Sequence, residues 1–139
     1  MDYALGLYAA SDYLAQQPPI LSRQDLPQHR WVGYVEDLMW TAELDYLPQV
    51  SRAVVPRLHI SNVISQMAAL AGGAGVGVLP NFMARDEPRL VRVLPAEVQL
   101  LRAYWLISHP DTRDVARIKA SIAFITEAIR EAGSDFWMA

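Results

Sequence analysis

The chain has 139 residues, of which 53% are hydrophobic and 19% are charged, and its formal net charge at pH 7 is −3. A chain of this length can bury about two thirds of its unfolded surface in one domain, so this composition excludes a disordered polypeptide. The absence of cysteine excludes disulfides and thiolate metal sites, and the lack of a basic stripe argues against direct contact with nucleic acid.

Six short segments are rich in valine, leucine and aromatic residues and are bounded by turn residues, which is typical of β-strands. In chain order they are 3–9, 30–35, 54–60, 75–79, 90–94 and 103–108. Helical patterns lie between and after them, at 11–17, 22–26, 62–71 and 115–132. Because strands and helices alternate, the sequence predicts an α/β domain with a largely parallel sheet.

The last helix has the clearest pattern, because five large aliphatic residues recur at intervals of three and four and form one apolar stripe. The stripe consists of Val115, Ile118, Ile122, Ile125 and Ile129. The residues available to cap the start of this helix are Asp111, Thr112 and Asp114, and Gly133 can end it.

Four glycines in the segment "MAALAGGAGVGVLP", residues 67–80, suggest at first a phosphate-binding loop. Such a loop runs from strand to glycines to helix, because the phosphate lies at a helix N-terminus. Here the predicted helix comes before the glycines and the strand follows them. We therefore predict that Gly72 or Gly73 ends the helix in a left-handed conformation, and that Gly75 and Gly77 let the strand pack closely.

Ser61 and Asn62 lie between a predicted strand and a predicted helix, the place where ligands collect in open α/β sheets. Their side chains and the free backbone N–H groups could bind a carboxylate or a similar anion. The alternative is that both residues only cap the helix.

The three histidines show no metal-ligand spacing. His59 is close to Ser61, but no Gly-x-Ser-x-Gly motif accompanies them. An acidic cluster could hold a cation or a basic group, although a solvated loop is the commoner explanation; it comprises Glu36, Asp37, Glu43 and Asp45. We expect no metal, no cofactor and no enzymatic activity.

Four blocks, in order and spacing, resemble the effector-binding domain of LysR-type transcriptional regulators over nearly the whole chain. The blocks are "GLYAASDYLAQQPPILSRQDLPQHRWVGY", "RLHISNVISQMAALAGGAGVGVLPNFMA", "LVRVLP" and "YWLISHPDTRDVARIKASIAFITEAI". The resemblance implies an α/β, periplasmic-binding-protein-like second regulatory subdomain at 9–102. Residues 1–8 and 103–139 would supply the crossing strands at the hinge and a C-terminal helix, as the remnant of the first subdomain.

In this family the effector lies in the cleft between the two subdomains. Carried over by position, the resemblance implies an effector site formed by Ser61, Asn62, Val63, Asp37, Leu79 and Pro80. It implies a hinge formed by Tyr8, Ala9, Ala10 and Ser11. The ligand would be an unknown small molecule; the helix start at Ser61 and Asn62 is compatible with an anion.

The resemblance also implies a C-terminal fragment that lacks the winged helix-turn-helix, and a cytoplasmic regulator that reaches DNA only through that missing part. No apolar run approaches the roughly 20 residues that a membrane span needs. The alternative is a stand-alone small-molecule binding or carrier domain. Because the isoleucine stripe would lack its partner subdomain, we expect a homodimer in which two copies bury the stripes or exchange the helix.

Overall fold

The structure, a computed structural model, describes residues 1–39 and 41–133, so that residues 134–139 of the predicted C-terminal remnant lie outside it. The strands are β1 (Asp2–Ala10), β2 (Val32–Gly33), β3 (Leu58–His59), β4 (Val76–Pro80), β5 (Leu90–Val93) and β6 (Leu100–Ala103). The α-helices are α1 (Ser11–Ala15), α2 (Leu47–Val50), α3 (Val63–Ala71), α4 (Asn81–Ala84) and α5 (Ala116–Glu131). Short 3-10 helices cover Arg23–Gln28, Glu36–Leu38 and Ala42–Leu44.

β1 is the central strand of the main sheet, and eight of its nine residues are buried. β4 pairs with one edge of β1, from Leu5 opposite Pro80 to Ala9 opposite Val76. β5 and β6 share the other edge, where β5 pairs with the second half of β1 and β6 with its first half. All three pairings are antiparallel.

The predicted largely parallel sheet is therefore wrong for the main sheet. Parallel pairing in the described residues is limited to β2 with β3 and to a single bridge between Trp31 and Val76. Alternating strands and helices indicate that helices connect the strands. This pattern does not determine the direction in which the central strand of the sheet runs. β1 is this central strand, and it runs against each of its neighbours.

The core lies on both faces of β1, because successive side chains of a strand point to opposite faces. The larger cluster contains Tyr3, Leu5 and Leu7 of β1, together with Trp31. The indole Nε1 of Trp31 donates a hydrogen bond to the carbonyl oxygen of Leu26 at 2.8 Å, which satisfies the buried polar atom of this side chain. The smaller cluster, on the other face, includes Tyr8, Leu70 and Leu79.

The predicted start of α3 is confirmed. Asn62 is the residue before the helix, and its side-chain Oδ1 accepts a hydrogen bond from the backbone N–H of Ser65 at 2.8 Å. At the start of the first 3-10 helix, Ser22 and Asp25 form a reciprocal capping box.

α5 confirms the predicted helix, but the predicted caps at its start are wrong. Val115 occupies the capping position, and no side chain accepts a hydrogen bond from the first turn. Asp114 lies one residue too early to cap and instead forms an ion pair with Lys119, with 3.0 Å between Oδ1 and Nζ. None of the sixteen residues of α5 is buried.

The order of helix, glycines and strand is confirmed by α3 and β4. Gly73 has a left-handed backbone with a φ of 81° just after α3. An added Cβ at Gly75 would lie 2.3 Å from the carbonyl oxygen of Arg30, so this close approach of two backbones requires glycine.

Three predicted strands are shorter or displaced. The segments 30–35 and 54–60 retain only the two-residue strands β2 and β3; Pro56 within the second lacks the N–H that a sheet requires. The predicted strand at 103–108 is wrong, because β6 ends at Ala103. The pairing of β6 with β1 stops at the first residue of the chain, where the backbone N–H of Tyr104 donates to the carbonyl oxygen of Met1 at 2.7 Å. Residues 105–108 therefore have no strand partner.

Candidate ligand-binding site

A cavity of about 160 Å³ lies where the start of β1, the end of β6 and the end of β4 meet the loop 34–46. Four tyrosines and one arginine give it its chemistry, and we call it the tyrosine cavity. It is lined by Tyr3, Tyr34, Thr41, Glu43, Leu44, Tyr46, Val63, Pro80, Arg102, Ala103 and Tyr104.

Two of the predicted effector-binding residues line this cavity. Val63 is the first residue of α3 and Pro80 is the last residue of β4. Pro80 is held beside the cavity by the sheet, since it lies opposite Leu5 of β1. The structure thus brings one residue from a helix start and one from a strand end to the same cavity.

The other four predicted residues do not line the tyrosine cavity. Ser61 and Asn62 are exposed, and the side chain of Asn62 is engaged in capping α3. Asp37 is exposed in the 3-10 helix Glu36–Leu38, whereas Leu79 is fully buried in the smaller core cluster. Their assignment to an effector site stays a prediction.

The predicted hinge lies at the end of β1 and the start of α1. Tyr8 and Ala9 are paired on both edges, with β4 on one side and β5 on the other, and both are buried. Ala10 is also buried, and the backbone N–H of Ser11 donates to the carbonyl oxygen of Arg89 at 3.0 Å. The hinge and the subdomain boundaries at residues 8 and 102 stay predictions.

The guanidinium of Arg102 is held at the cavity by three contacts. Its Nε donates to the carbonyl oxygen of Glu43 at 2.9 Å, and its Nη1 donates to the carbonyl oxygen of Leu101 at 2.7 Å. Its Cζ lies 5.2 Å from the ring centroid of Tyr46, which is a cation–π distance. The remaining nitrogen, Nη2, is buried and has no hydrogen-bond partner.

The tyrosine rings around Arg102 are packed in two pairs. Tyr3 and Tyr104 are stacked with 4.4 Å between ring centroids, and Tyr34 and Tyr46 meet edge to face at 6.0 Å. Burial, together with the neighbouring Tyr104 hydroxyl, raises the pKa of Tyr3 to about 12. Burial also raises the pKa of Tyr34 and Tyr46, so these three side chains stay neutral at physiological pH and can donate hydrogen bonds.

The sequence analysis did not identify Arg102 or the four tyrosines. They are separated by up to about a hundred positions, and the pairing of β1 with β6 brings them together, with Tyr3 directly opposite Arg102. The sequence did contain one indication of this arrangement, since Tyr3 lies at the start of β1 and Tyr104 directly follows β6.

A second cavity, of about 410 Å³, adjoins the tyrosine cavity and shares Tyr34, Leu44 and Tyr46 with it. It lies between the loop 34–56 and the sheet. Its lining is mainly apolar, and it includes the buried Gln66, whose Nε2 donates to the carbonyl oxygen of Ile60 at 3.1 Å.

His59 is not arranged with Ser61 as a nucleophile and base: its Nδ1 lies 3.1 Å from the carbonyl oxygen of Tyr34. In residues 1–39 and 41–133, no three metal-ligating side chains lie close enough together to hold an ion. Within the same ranges, no helix has both the length and the apolar character to cross a membrane.

Solved structures of known regulators share this fold. The regulatory domain of CrgA, a LysR-type transcriptional regulator from Neisseria meningitidis, matches with a TM-score of 0.72 at 17% identity, over 92% of this chain and 65% of that one. The full-length Vibrio cholerae virulence activator AphB matches with a TM-score of 0.67 at 21% identity, over 90% of this chain and 44% of that one. The predicted α/β fold of the periplasmic-binding-protein type, with its C-terminal helix, is thereby confirmed.

A curated relative supports the same assignment. The HTH-type transcriptional regulator PtxR of Pseudomonas aeruginosa is 36% identical over 101 residues, which are 68% of this chain and 32% of PtxR. This chain therefore spans about a third of the length of that relative. The family model described as "LysR substrate binding domain" matches residues 1–130. The chain belongs to the family of LysR substrate-binding domains.

Proposed function

We propose that the chain is the effector-sensing part of a LysR-type transcriptional regulator and binds a small molecule without catalysis. The observation that carries this proposal is the tyrosine cavity, whose walls come from β1, β6, the end of β4, the start of α3 and the loop 34–46. Ser61, Asn62 and Asp37 are exposed and would face the same ligand in the complete cleft, and the buried Leu79 would support its wall.

The placement of the cavity suggests how binding could be transmitted. A ligand there would touch β1 and β6 on one side and the loop 34–46 on the other. It would favour the arrangement of these elements that it binds best, since a ligand shifts an equilibrium only by its differential affinity. Control of DNA would then require a domain outside this chain, in a cytoplasmic protein.

Ligand-observed NMR against small carboxylates, amines and neutral ring compounds tests binding at the cavity. Val63→Phe would fill the cavity, so we expect compounds that bind the unchanged chain to be lost from this variant. Val55→Phe is the matched control, because Val55 is 74% exposed and does not line the tyrosine cavity. Equal binding to both variants, or no binding to the unchanged chain, would contradict the proposed site.

The regulatory role needs a separate experiment. Immunoprecipitation from the source cell, followed by intact mass spectrometry, would measure the length of the native product. A product roughly twice as long as this chain, with a basic N-terminal segment, supports a regulator. A native product of 15.6 kDa would instead favour the stand-alone binding or carrier domain.

A further inference from the structure

The second cavity, of about 410 Å³, is separate from the tyrosine cavity, and we call it the loop cavity because the loop 34–56 covers it. The two cavities share Tyr34, Leu44 and Tyr46 as a common wall. No described residue of β1 or β6 lines the loop cavity, and neither does Val63 at the start of α3. Its other walls are β2, the middle of β4 and a residue one turn into α3, which is Gln66.

Gln66 is the buried polar side chain of the loop cavity. It is 2% exposed and belongs to the face of α3 that also buries Leu70 and Ala71. Its Nε2 donates to the carbonyl oxygen of Ile60 at 3.1 Å. Because a carbonyl oxygen can only accept, this contact identifies the nitrogen end of the amide and leaves Oε1 as the free acceptor end.

The Oε1 atom of Gln66 is accessible from the cavity. It accepts no hydrogen bond from the described residues. It is nevertheless not one of the enclosed side-chain atoms without a partner, which belong to His29, Asn81, Arg92 and Arg102. Since Gln66 is buried and lines the cavity, the surface that Oε1 retains lies within the cavity. Buried amides are normally hydrogen-bonded, so Oε1 marks a position for a donor.

The walls around this acceptor are apolar and enclose a large space. The volume of the loop cavity is more than twice the roughly 150 Å³ that holds one benzene molecule in an engineered protein. A body of two fused rings therefore fits. The aliphatic and methionine side chains of the lining are Val32, Met39, Leu44, Leu47, Val54 and Val78.

The charged side chains of the loop cavity lie at its rim and exclude an ionised ligand. Glu36, Asp45 and Arg52 line the cavity, and all three are exposed. Two carboxylates and one guanidinium disfavour an anion at the entrance. Among the described residues of the lining, no charged side chain is buried, so an ion inside would lose its hydration without gaining a partner. The cavity therefore favours a neutral molecule.

We propose that the loop cavity binds a neutral, largely apolar molecule with a two-ring body, and that one hydroxyl or N–H group of this molecule donates to Oε1 of Gln66. This second ligand site is distinct from the tyrosine cavity and does not depend on the proposed function. Gln66 is its specificity-determining residue, because a ligand of the same shape without a donor would leave the buried Oε1 unpaired.

Isothermal titration of the full chain with indole and with benzofuran tests this directly. The two probes have nearly the same shape, and only indole has an N–H donor. We expect indole to bind about tenfold more tightly than benzofuran. Gln66→Leu keeps a similar volume and removes the acceptor, so the affinity for indole should fall about tenfold and that for benzofuran should stay unchanged. Gln99→Leu makes the same replacement at an exposed position outside both cavities and should change neither.

A second measurement uses the unmodified chain, in case Gln66→Leu does not fold. Nuclear Overhauser effects should join the ring protons of indole to the methyl groups of Val54 and Val78, which line the loop cavity and not the tyrosine cavity. Val63→Phe, which fills the tyrosine cavity, should leave the affinity for indole unchanged.

Four results would overturn the inference: no binding of indole, equal affinity for indole and benzofuran, indole binding that is unaffected by Gln66→Leu, or contacts of indole to Val63 alone. Contacts to Val63 alone would still support the proposed function, because Val63 lines the tyrosine cavity. Conversely, indole that contacts Val54 and Val78 supports the loop cavity even if no compound binds at the tyrosine cavity.

Discussion

β1 and α5 are both rich in large apolar residues, but they differ completely in burial. Eight of nine residues are buried in β1, and none of sixteen is buried in α5. β1 has a paired strand along each edge and side chains packed on each face, whereas the stripe of α5 is at most partly covered by the described residues. The difference shows that apolar side chains become buried only where a neighbouring strand or helix packs against them.

The exposed apolar surface extends beyond α5 into the segment before it. Trp105 is 78% exposed, Ile107 is 86% exposed and Phe124 of α5 is 75% exposed. Apolar surface of this kind is typical of an interaction site in a soluble protein. The region from Tyr104 to the end of α5 therefore has the character of an interface, while β1 has that of a core.

The largest expected effect follows from removing a leucine from the centre of the core. Leu7→Ala should lower the free energy of unfolding by about 2–5 kcal/mol, because Leu7 is fully buried and leaves a cavity. Leu101→Ala on the neighbouring strand should change it by less than about 0.5 kcal/mol, since Leu101 is 56% exposed. Urea unfolding of the two variants measures both values, and equal losses would remove the contrast between the core and the exposed region.

The next effect concerns association through the stripe of α5. We expect two copies to associate, since each large aliphatic side chain removed from water contributes roughly 1.5–3 kcal/mol when fully buried. Ile122→Lys should return the molecule to a monomer, whereas Ala120→Lys should not, because Ala120 is exposed on the side of α5 opposite the stripe. Light scattering at high concentration measures the mass, and a strict monomer of 15.6 kDa for the unchanged chain would contradict the prediction.

A smaller effect separates the two roles considered for Asn62. Asn62→Ala should cost about 1 kcal/mol of stability, because its side chain caps α3. Ser61→Ala is the matched control and should stay within about 0.5 kcal/mol, since Ser61 is exposed. If Asn62 also binds the effector, ligand affinity will fall in the folded variant; unchanged affinity would leave Asn62 with the capping role alone.

The last effect is a loss of stability that appears only at high pH. The pKa of Tyr3 is raised to about 12 in the folded chain, against about 10 in an unfolded one. The unfolded state releases this proton first, so the contribution of Tyr3 to stability is complete below pH 10 and falls as the pH rises towards 12. Urea unfolding across this range should show a shallower loss in Tyr3→Phe than in the unchanged chain. If the free energy of unfolding falls equally with pH in both proteins, the raised pKa of Tyr3 is contradicted.

Local patterns in the sequence were sufficient for several elements. The helices α3 and α5, the cap at Asn62 and the role of the glycines before β4 all depend on residues within a few positions of each other, and each was predicted correctly. The resemblance in four blocks identified the family. These features follow from backbone preferences and capping chemistry, which act over one or two turns of a helix.

Long-range pairing could not be predicted in the same way. The direction of β1, the end of β6 at Ala103 and the shortness of β2 and β3 depend on which strands lie side by side. Of the predicted effector-binding residues, Val63 and Pro80 line the tyrosine cavity, whereas Arg102, which also lines it, was not among them. A charge without an ion partner becomes visible only once every neighbouring side chain has been placed.

The sequence by itself determined the fold class and the helices α3 and α5, because periodicity and capping residues are local properties, and its resemblance in four blocks indicated the family. The tertiary structure decided which apolar residues form the core, which tyrosines meet Arg102, and where a ligand can be received. The physical reason is that burial, desolvation and electrostatic balance depend on neighbours in space. In this chain those neighbours come from opposite ends of the sequence, joined by the pairing of β1 with β6.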